Sequence, residues 1–336
     1  MVKGLSIVVC TFNGRAGVLD LLTHIAALET PTGLDWELVL VDNASTDGTS
    51  EWVKELMSAQ SWEFKLNIIQ ELRPGLNHAR VTGARTAQHP WILFCDDDNL
   101  LHADYLVHWN NVLLLNNNIG AVGGRGLIET DAPLPDWFQQ FSHSYALGPQ
   151  ASQSGIMPIG SALYGAGLFI YKQPLLELFD KGFEVVMSDR KGKSLASSGD
   201  LEWCYLIQLL GYRIYYEDKL IFRHKINSGR LTWAYYIQLK RGIASGVGLL
   251  AAYRFALDKH NSNSVFVLHY IREMLIATLI HFNAKIKIRF KLRNKQREFE
   301  ELGVEIVKYK AASFQKNMMK AFSHYRQLKN YKLATL

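Results

Sequence analysis

The sequence predicts an α/β protein: a mostly parallel, Rossmann-like sheet flanked by helices, followed by a basic helical extension. Three observations predict it. Short β-branched runs alternate with segments of helical apolar spacing from Leu5 to Cys95. Each of three such runs ends in a polar motif, the position of ligand loops in open α/β sheets. Charge then divides the chain. Residues 1–226 hold 17 Lys/Arg and 25 Asp/Glu, a net of −8, whereas residues 227–336 hold 20 and 6, a net of +14. Residues 1–226 are therefore read as one α/β domain and residues 227–336 as a mainly helical basic extension.

The elements follow in order. Leu5–Cys10 reads as a buried strand with Thr11–Gly14 as its polar turn, and Val18–Leu28 as a helix. Trp36–Val41 is a second strand, Asp42–Thr49 its loop, and Glu51–Met57 the start of a helix. Leu66–Gln70 is a third strand; after the Pro74-Gly75 turn, Leu76–Ala87 is helical. Trp91–Cys95 is a fourth strand, and residues 102–118 are helical. Residues 119–170 carry short strands and a long Gly/Pro/Ser-bearing loop from Asp131 to Ser161. Leu168–Tyr171 is a strand, Ser197–Asp200 caps a helix running to Leu210, and Arg213–Glu217 and Leu220–Phe222 are strand-like. From Leu231 the pattern is helical.

A chain of 336 residues with 48% hydrophobic composition has ample material for a large core. Cys10, Cys95 and Cys204 are an odd set in apolar contexts, which argues against a disulfide framework or zinc site and for a reducing, cytoplasmic setting. The N-terminal apolar run is too short for a signal peptide. No membrane-spanning helix is expected, because Val265–Phe282 is interrupted by His269, Arg272, Glu273 and His281.

The richest chemistry lies at 94–99, Phe-Cys-Asp-Asp-Asp-Asn. Three carboxylates at the end of a buried strand repel one another at the edge of a low-dielectric core. A divalent cation bridging a diphosphate is the usual compensator; a solvated acidic turn is the alternative. Asp42, at the end of another strand, suits hydrogen bonding to a base or ribose, or else an Asx-turn and helix cap. Neither a GxxxxGK nor a GxGxxG loop is present, and residues 120–126 (GAVGGRG) fail that spacing, which argues against a nicotinamide dehydrogenase.

SIVVCTFNG (6–14), ELVLVDNASTDGT (37–49), RPGLNHARVTGARTA (73–87) and WILFCDDDN (91–99) occur in this order. Together they resemble the nucleotide-sugar-binding half of an inverting glycosyltransferase of family 2, with the GT-A fold, over residues 5–226. The resemblance implies a nucleotide-diphosphate-sugar donor, a UDP-sugar favoured, a Mn²⁺ or Mg²⁺ cofactor, and direct displacement at the anomeric carbon. By matching position it implies that Thr11 and Asn13 line the nucleotide pocket, that Asp42 meets the base, and that Arg80 lies near the nucleotide or diphosphate. Asp96 would face the ribose, Asp98 would hold the metal, and Asp97 occupies the variable place between them. Cys10 and Val81 depart from the commoner Pro and Asn, which leaves donor identity open.

Ser198–Trp203 resembles the family's second acidic stretch, with Gly199 where Glu is common. Asp200 then matches the base that deprotonates the acceptor hydroxyl; without the resemblance it reads as a helix cap. Glu202, two residues on, is a candidate acceptor contact. His224 is a candidate metal or phosphate contact, or else a surface His in a basic turn, and Arg230 a candidate neutraliser of the diphosphate. The implied acceptor is a glycan or lipid-linked hydroxyl in surface-polysaccharide synthesis. The alternatives are a nucleotidyltransferase, for which Thr11–Arg15 lacks the Gly-rich loop, and a non-catalytic sugar-nucleotide-binding scaffold, which has no need of a base.

Seven basic residues fall between 285 and 297, and Lys285–Arg293 alternates with a period of two, as in an edge strand or extended arm. Upstream, Leu268, Ile271, Leu275, Leu279 and Phe282 form a helical stripe. The tail is read either as a platform on the anionic inner face of a membrane or as an extension packed on the body or on a second subunit. No nucleic-acid-binding module surrounds it.

Overall fold

The computed structural model describes residues 4–187, 189–190, 195–258, 263–290 and 297–334. The chain forms two compact units, Met1–Glu184 with Gly199–Leu231, and Val185–Ser198 with Thr232–Leu336.

In the first unit the order is β1 (Gly4–Thr11), α1 (Val18–Ala26), β2 (Asp35–Asp42), α2 (Thr49–Ala59), β3 (Lys65–Gln70), α3 (Leu76–Thr86), β4 (Trp91–Asp96), β5 (Asn99–Leu101), α4 (Tyr105–Leu115) and β6 (Ile119–Glu129). Then come α5 (Phe138–Phe141), β7 (Gly155–Ile156), β8 (Leu168–Tyr171), α6 (Gln173–Asp180), α7 (Gly199–Leu209) and β9 (Arg213–Lys225). Among the described residues the strands form one nine-stranded sheet of order β3-β2-β1-β4-β8-β6-β9-β5, with β7 on β9.

The sheet is mixed, with most of its paired length parallel. β1–β2, β1–β4, β2–β3 and β6–β9 are parallel, whereas β4–β8, β6–β8, β5–β9 and β7–β9 are antiparallel. The parallel half is the part that alternates strand and helix in sequence, as crossover connections require. β1 is central there and buried along its whole length, so it is apolar but for Ser6, whose hydroxyl donates to Glu37, and the terminal Thr11. α1 turns Val18, Leu21, Leu22 and Ile25 inward at helical spacing. α3 lies close on the sheet because it has a glycine at the contact: a Cβ on Gly83 would come within 2.4 Å of Val8 Cγ1.

The second unit contains α8 (Trp233–Ser245), α9 (Val247–Leu257), α10 (Asn263–Phe290) and α11 (Arg297–Ala334). Its core is aromatic: Phe266 stacks on Tyr325 with centroids 4.2 Å apart, and Tyr270 meets Phe314 and Phe322 edge-on. Two expectations for this region change. Residues 285–290 continue α10 rather than forming a strand or extended arm, because the helix upstream simply propagates through them; residues 291–293 lie outside the described residues. Asn263–Asn283 is also, by length and composition alone, long and apolar enough to cross a membrane. Its interrupting His and charged residues are too few to break that pattern.

Candidate active site

Parallel pairing delivers the polar motifs to one end of the sheet. In register, Thr11 stands opposite Asp42 and Cys10 opposite Asp96. The loops behind β1 and β2 are laced together. Asn13, at φ 55°, accepts a hydrogen bond from the Thr46 backbone N at 2.8 Å, and its own N donates to Ser45 Oγ at 2.9 Å. Asp42 is buried; it accepts from Ser45 N (2.9 Å), Ser50 Oγ (2.6 Å) and Gln70 Nε2 (3.0 Å). Burial works against its charge, but the hydrogen bonds from Ser45, Ser50 and Gln70 outweigh it and hold the carboxyl below its ordinary value. Asp42 thus builds the loop with both oxygens. Asn43 adds a second tie, donating to Glu71 O and Arg73 O and accepting from Gly75 N.

The three carboxylates after β4 diverge to different partners. Asp96 Oδ1 lies 3.6 Å from Arg80 Nη2, and the Arg80 guanidinium sits over the Phe94 ring. Asp97 Oδ2 accepts from buried Thr11 Oγ1 at 2.6 Å. Burial, then the Asp98 and Asp96 charges, push the Asp97 carboxyl up to about 7, with the Thr11 hydroxyl only partly offsetting them. Asp98 Oδ2 accepts from Arg230 Nη1 at 2.7 Å and lies 3.2 Å from His224 Nε2. The antiparallel β5–β9 pairing, in which Asn99 faces His224, makes that last contact.

His224 supplies the test for a cation. Its Nδ1 is 2.7 Å from the Tyr145 carbonyl, which can only accept, so Nδ1 carries a proton. In the neutral ring Nε2 then turns a lone pair toward a carboxylate oxygen. A lone pair facing a carboxylate oxygen leaves a place for a proton or a cation, and Arg230 already donates to that same oxygen; of the two side chains, the carboxylate is the donor type that suits Mn²⁺ or Mg²⁺. Among the described residues no three acidic, Cys or His side chains converge on one point. Asp98 and His224 are the two protein donors that would take part in holding such a cation.

Asp200 opens α7. Its Oδ2 accepts from Gly165 N at 3.0 Å and its Oδ1 from Leu201 N at 2.9 Å. Burial raises its pKa; the Arg80 charge and these backbone donors act against that, and Asp96 reinforces it. Arg80, buried itself, therefore links Asp96 electrostatically to Asp200. Glu202 has no exposed surface, a difference from the expected acceptor contact: two residues along a helix turns it away from the side Asp200 presents. Sequence reasoning missed Gly165, Gln70 and Tyr145. The Tyr145 contribution is doubled, since its hydroxyl also donates to Arg230 O at 2.9 Å.

One end of the sheet gathers carboxylates, two arginines and an oriented imidazole. The chain belongs to glycosyl transferase family 2, whose model matches residues 6–179, more than half of its length. It has the GT-A fold. An uncharacterized glycosyltransferase of Haemophilus influenzae is 30% identical over 119 residues, covering 35% of this chain and 37% of the relative. The poly-beta-1,6-N-acetyl-D-glucosamine synthase of Staphylococcus epidermidis is 22% identical over 147 residues, covering 44% and 34%. The chain thus spans about a third of the length of these curated relatives. Among solved structures, S. aureus TarS 1-349 matches with a TM-score of 0.51 at 14% identity, over 98% of this chain and 91% of that one. The Pyrobaculum calidifontis mannosyltransferase PcManGT, in complex with GDP-Man and Mn²⁺, matches with 0.50 at 18% identity, over 98% and 85%.

Proposed function

We propose that the protein transfers a sugar from a nucleotide-diphosphate sugar to a hydroxyl of a glycan or lipid-linked acceptor, inverting the anomeric centre, in surface-polysaccharide synthesis on the cytoplasmic side of a membrane. The observation that carries this is the pairing of two separate devices, an Asp98–His224–Arg230 cluster and a hydrogen-bonded, half-buried Asp200 joined to Asp96 through Arg80. UDP-GlcNAc is the first donor to try, because a TarS structure similar to this chain is in complex with it and one relative is a poly-N-acetylglucosamine synthase.

In this reading the nucleotide lies against Thr11, Asn13 and the loop shaped by Asp42, with Asp96 and Asp97 beside it. Asp98 and His224 would hold a Mn²⁺ or Mg²⁺ ion, which when bound neutralises charge on the leaving diphosphate. Arg230 adds a fixed positive charge there. Asp200 takes the acceptor hydroxyl proton as that oxygen attacks the anomeric carbon. The bond from carbon to the diphosphate oxygen breaks in the same displacement, and the nucleoside diphosphate leaves with the electron pair. A single displacement inverts the centre.

The test is a panel of UDP-, GDP- and dTDP-sugars with Mn²⁺, Mg²⁺ or chelator, read by thermal shift and by nucleoside-diphosphate release. A donor at about 100 times its Kd stabilises the fold by about 2.7 kcal/mol. One donor is expected to raise the melting temperature and turn over only with metal, and Asp98→Asn is expected to abolish both responses to metal. Full activity in chelator, or no stabilisation by any nucleotide sugar, would overturn the proposal.

A further inference from the structure

Helix α10 is apolar on two opposite sides, and only one of them is covered. Its inner side packs inside the second unit: Phe266 contacts Phe255, Phe322 and Tyr325, and the Tyr270 hydroxyl donates to Phe314 O at 2.9 Å. Its outer side carries Leu268, Leu275, Leu279 and Phe282, at spacings of seven, four and three residues, each between 53% and 68% exposed. Ile276 borders the same stripe. The charged residue on it is Arg272, whose side chain is 70% exposed and whose aliphatic stem allows its head to reach outward to a polar layer. A helix hydrophobic all round is one that something else covers, and a continuous exposed apolar stripe of this kind marks an interaction surface.

We propose that this outer face of α10 inserts shallowly into an anionic lipid monolayer. The chain runs directly from the stripe into seven basic residues between 285 and 297, where charge complementarity favours anionic headgroups. The same charge disfavours a second copy of this chain as the occupant, because pairing through the face would bring together two segments that each carry a net +14 over residues 227–336. Crossing the bilayer is disfavoured by the inner side. Asn263–Asn283 is 21 residues, roughly 31 Å as a helix, and so of spanning length. Yet Phe266 and Tyr270 are already packed against protein, so the helix lies along the membrane instead.

The experiment is flotation of the full chain with vesicles of phosphatidylcholine alone or mixed with phosphatidylglycerol, at low and high salt. The wild type is expected to float with the mixed vesicles and to keep part of its binding at high salt, the apolar contribution being insensitive to screening. The triple variant Leu275→Ser, Leu279→Ser, Phe282→Ser is expected to lose vesicle binding by at least about tenfold, with unchanged circular dichroism and melting temperature, because the three side chains are exposed. The variant Lys285→Gln, Lys287→Gln, Arg289→Gln is expected to lose the preference for phosphatidylglycerol. On an otherwise native chain, the emission of the indole introduced by Leu279→Trp is expected to be quenched by lipid brominated on its acyl chains. A wild type that stays in the aqueous fraction, a triple variant that floats as well as wild type, or a Leu279→Trp variant whose added emission brominated lipid leaves bright would each overturn the proposal. So would a dimer in light scattering that the triple variant converts to monomer while vesicles bind neither.

Discussion

Replacing Asp200 with Asn separates base catalysis from every other role the residue has. The wild-type carboxylate takes one backbone donor on each oxygen, Gly165 N at 3.0 Å and Leu201 N at 2.9 Å. Asn keeps one of those acceptors and turns an NH₂ toward the other donor, which costs about 1–3 kcal/mol. Against this, the substitution removes a charge that burial disfavours, as the upward shift of the Asp200 pKa records. The two effects oppose, so the melting temperature is expected to move by only a few degrees. Donor affinity is expected to hold as well, since Arg80 retains Asp96 at 3.6 Å. Turnover is a different matter. Loss of a general base lowers the rate by about 10²–10⁴, or roughly 3–5 kcal/mol of barrier. The assays are calorimetric donor titration, steady-state transfer, and the rate as a function of pH. The base works ionised and its pKa is raised, so the acid limb of kcat/KM is expected above the ordinary aspartate range in wild type and to vanish in Asp200→Asn. Donor affinity that falls as far as kcat would make Asp200 a structural cap, and a product of retained configuration would exclude direct displacement.

Two further outcomes follow from the scaffold. A Cβ on Gly165 would lie 2.9 Å from both Arg80 Nη2 and Asp200 Cβ, so Gly165→Ala is expected to push base and guanidinium apart and cut kcat on the order of tenfold to a hundredfold, while circular dichroism stays native; wild-type turnover would show that this contact is loose. Glu71, bound by the Arg73 side chain and by Thr82 Oγ1, has its carboxyl lowered from 4.5 to about 2, chiefly by the Arg73 hydrogen bond. A depressed carboxyl stabilises above its unfolded pKa, so this contribution is complete above 4.5 and is lost as pH falls toward 2. Because Arg73 is mostly exposed and screened, it is discounted to about 1 kcal/mol. Glu71→Gln is expected to flatten the acid side of the melting profile, and an unchanged slope would refute the assignment.

What the sequence reveals of this protein follows from how locally each part is encoded. β1, β2 and β4 are short apolar runs between turn residues. Their ends, and with them Thr11, Asp42 and Asp96–Asp98, are therefore legible in the sequence as lying on one edge of a sheet. β9 is not legible in that way. Its interior Asp218 and Lys219 separate two strand-like runs in the sequence, whereas the chain continues as one strand from Arg213 to Lys225 with a register shift against β6 between Gly123 and Arg125. That continuity is what carries His224 to Asn99. The Tyr145 carbonyl leaves no trace in a sequence at all, since every residue has one and only long-range folding decides which imidazole it meets. The tail misled for another reason: alternation of Lys with Ile has the period of a strand, but helix propagation from the packed residues upstream overrides it.

Electrostatics then explains why the site needs such specific neighbours. Residues 1–226, which contain all of the site but Arg230, are net acidic at −8, and the proposed donor is an anionic diphosphate. A net field of that sign repels the ligand, so binding has to come from local positive charge. The three consecutive carboxylates divide the local charge unequally. Asp96 has Arg80, and Asp98 has Arg230 and the imidazole of His224. Asp97 has the Thr11 hydroxyl instead, and it is Asp97 whose carboxyl is driven up to about 7. The protein therefore approaches its ligand with two carboxylates matched to fixed cations and one left partly protonated near neutral pH. That arrangement would lower the negative charge a diphosphate meets, and a divalent ion held at Asp98 would lower it further. The acidity at the end of β4 is in this sense compatible with an anionic substrate only because its three charges were separated, by strand pairing, into three different environments.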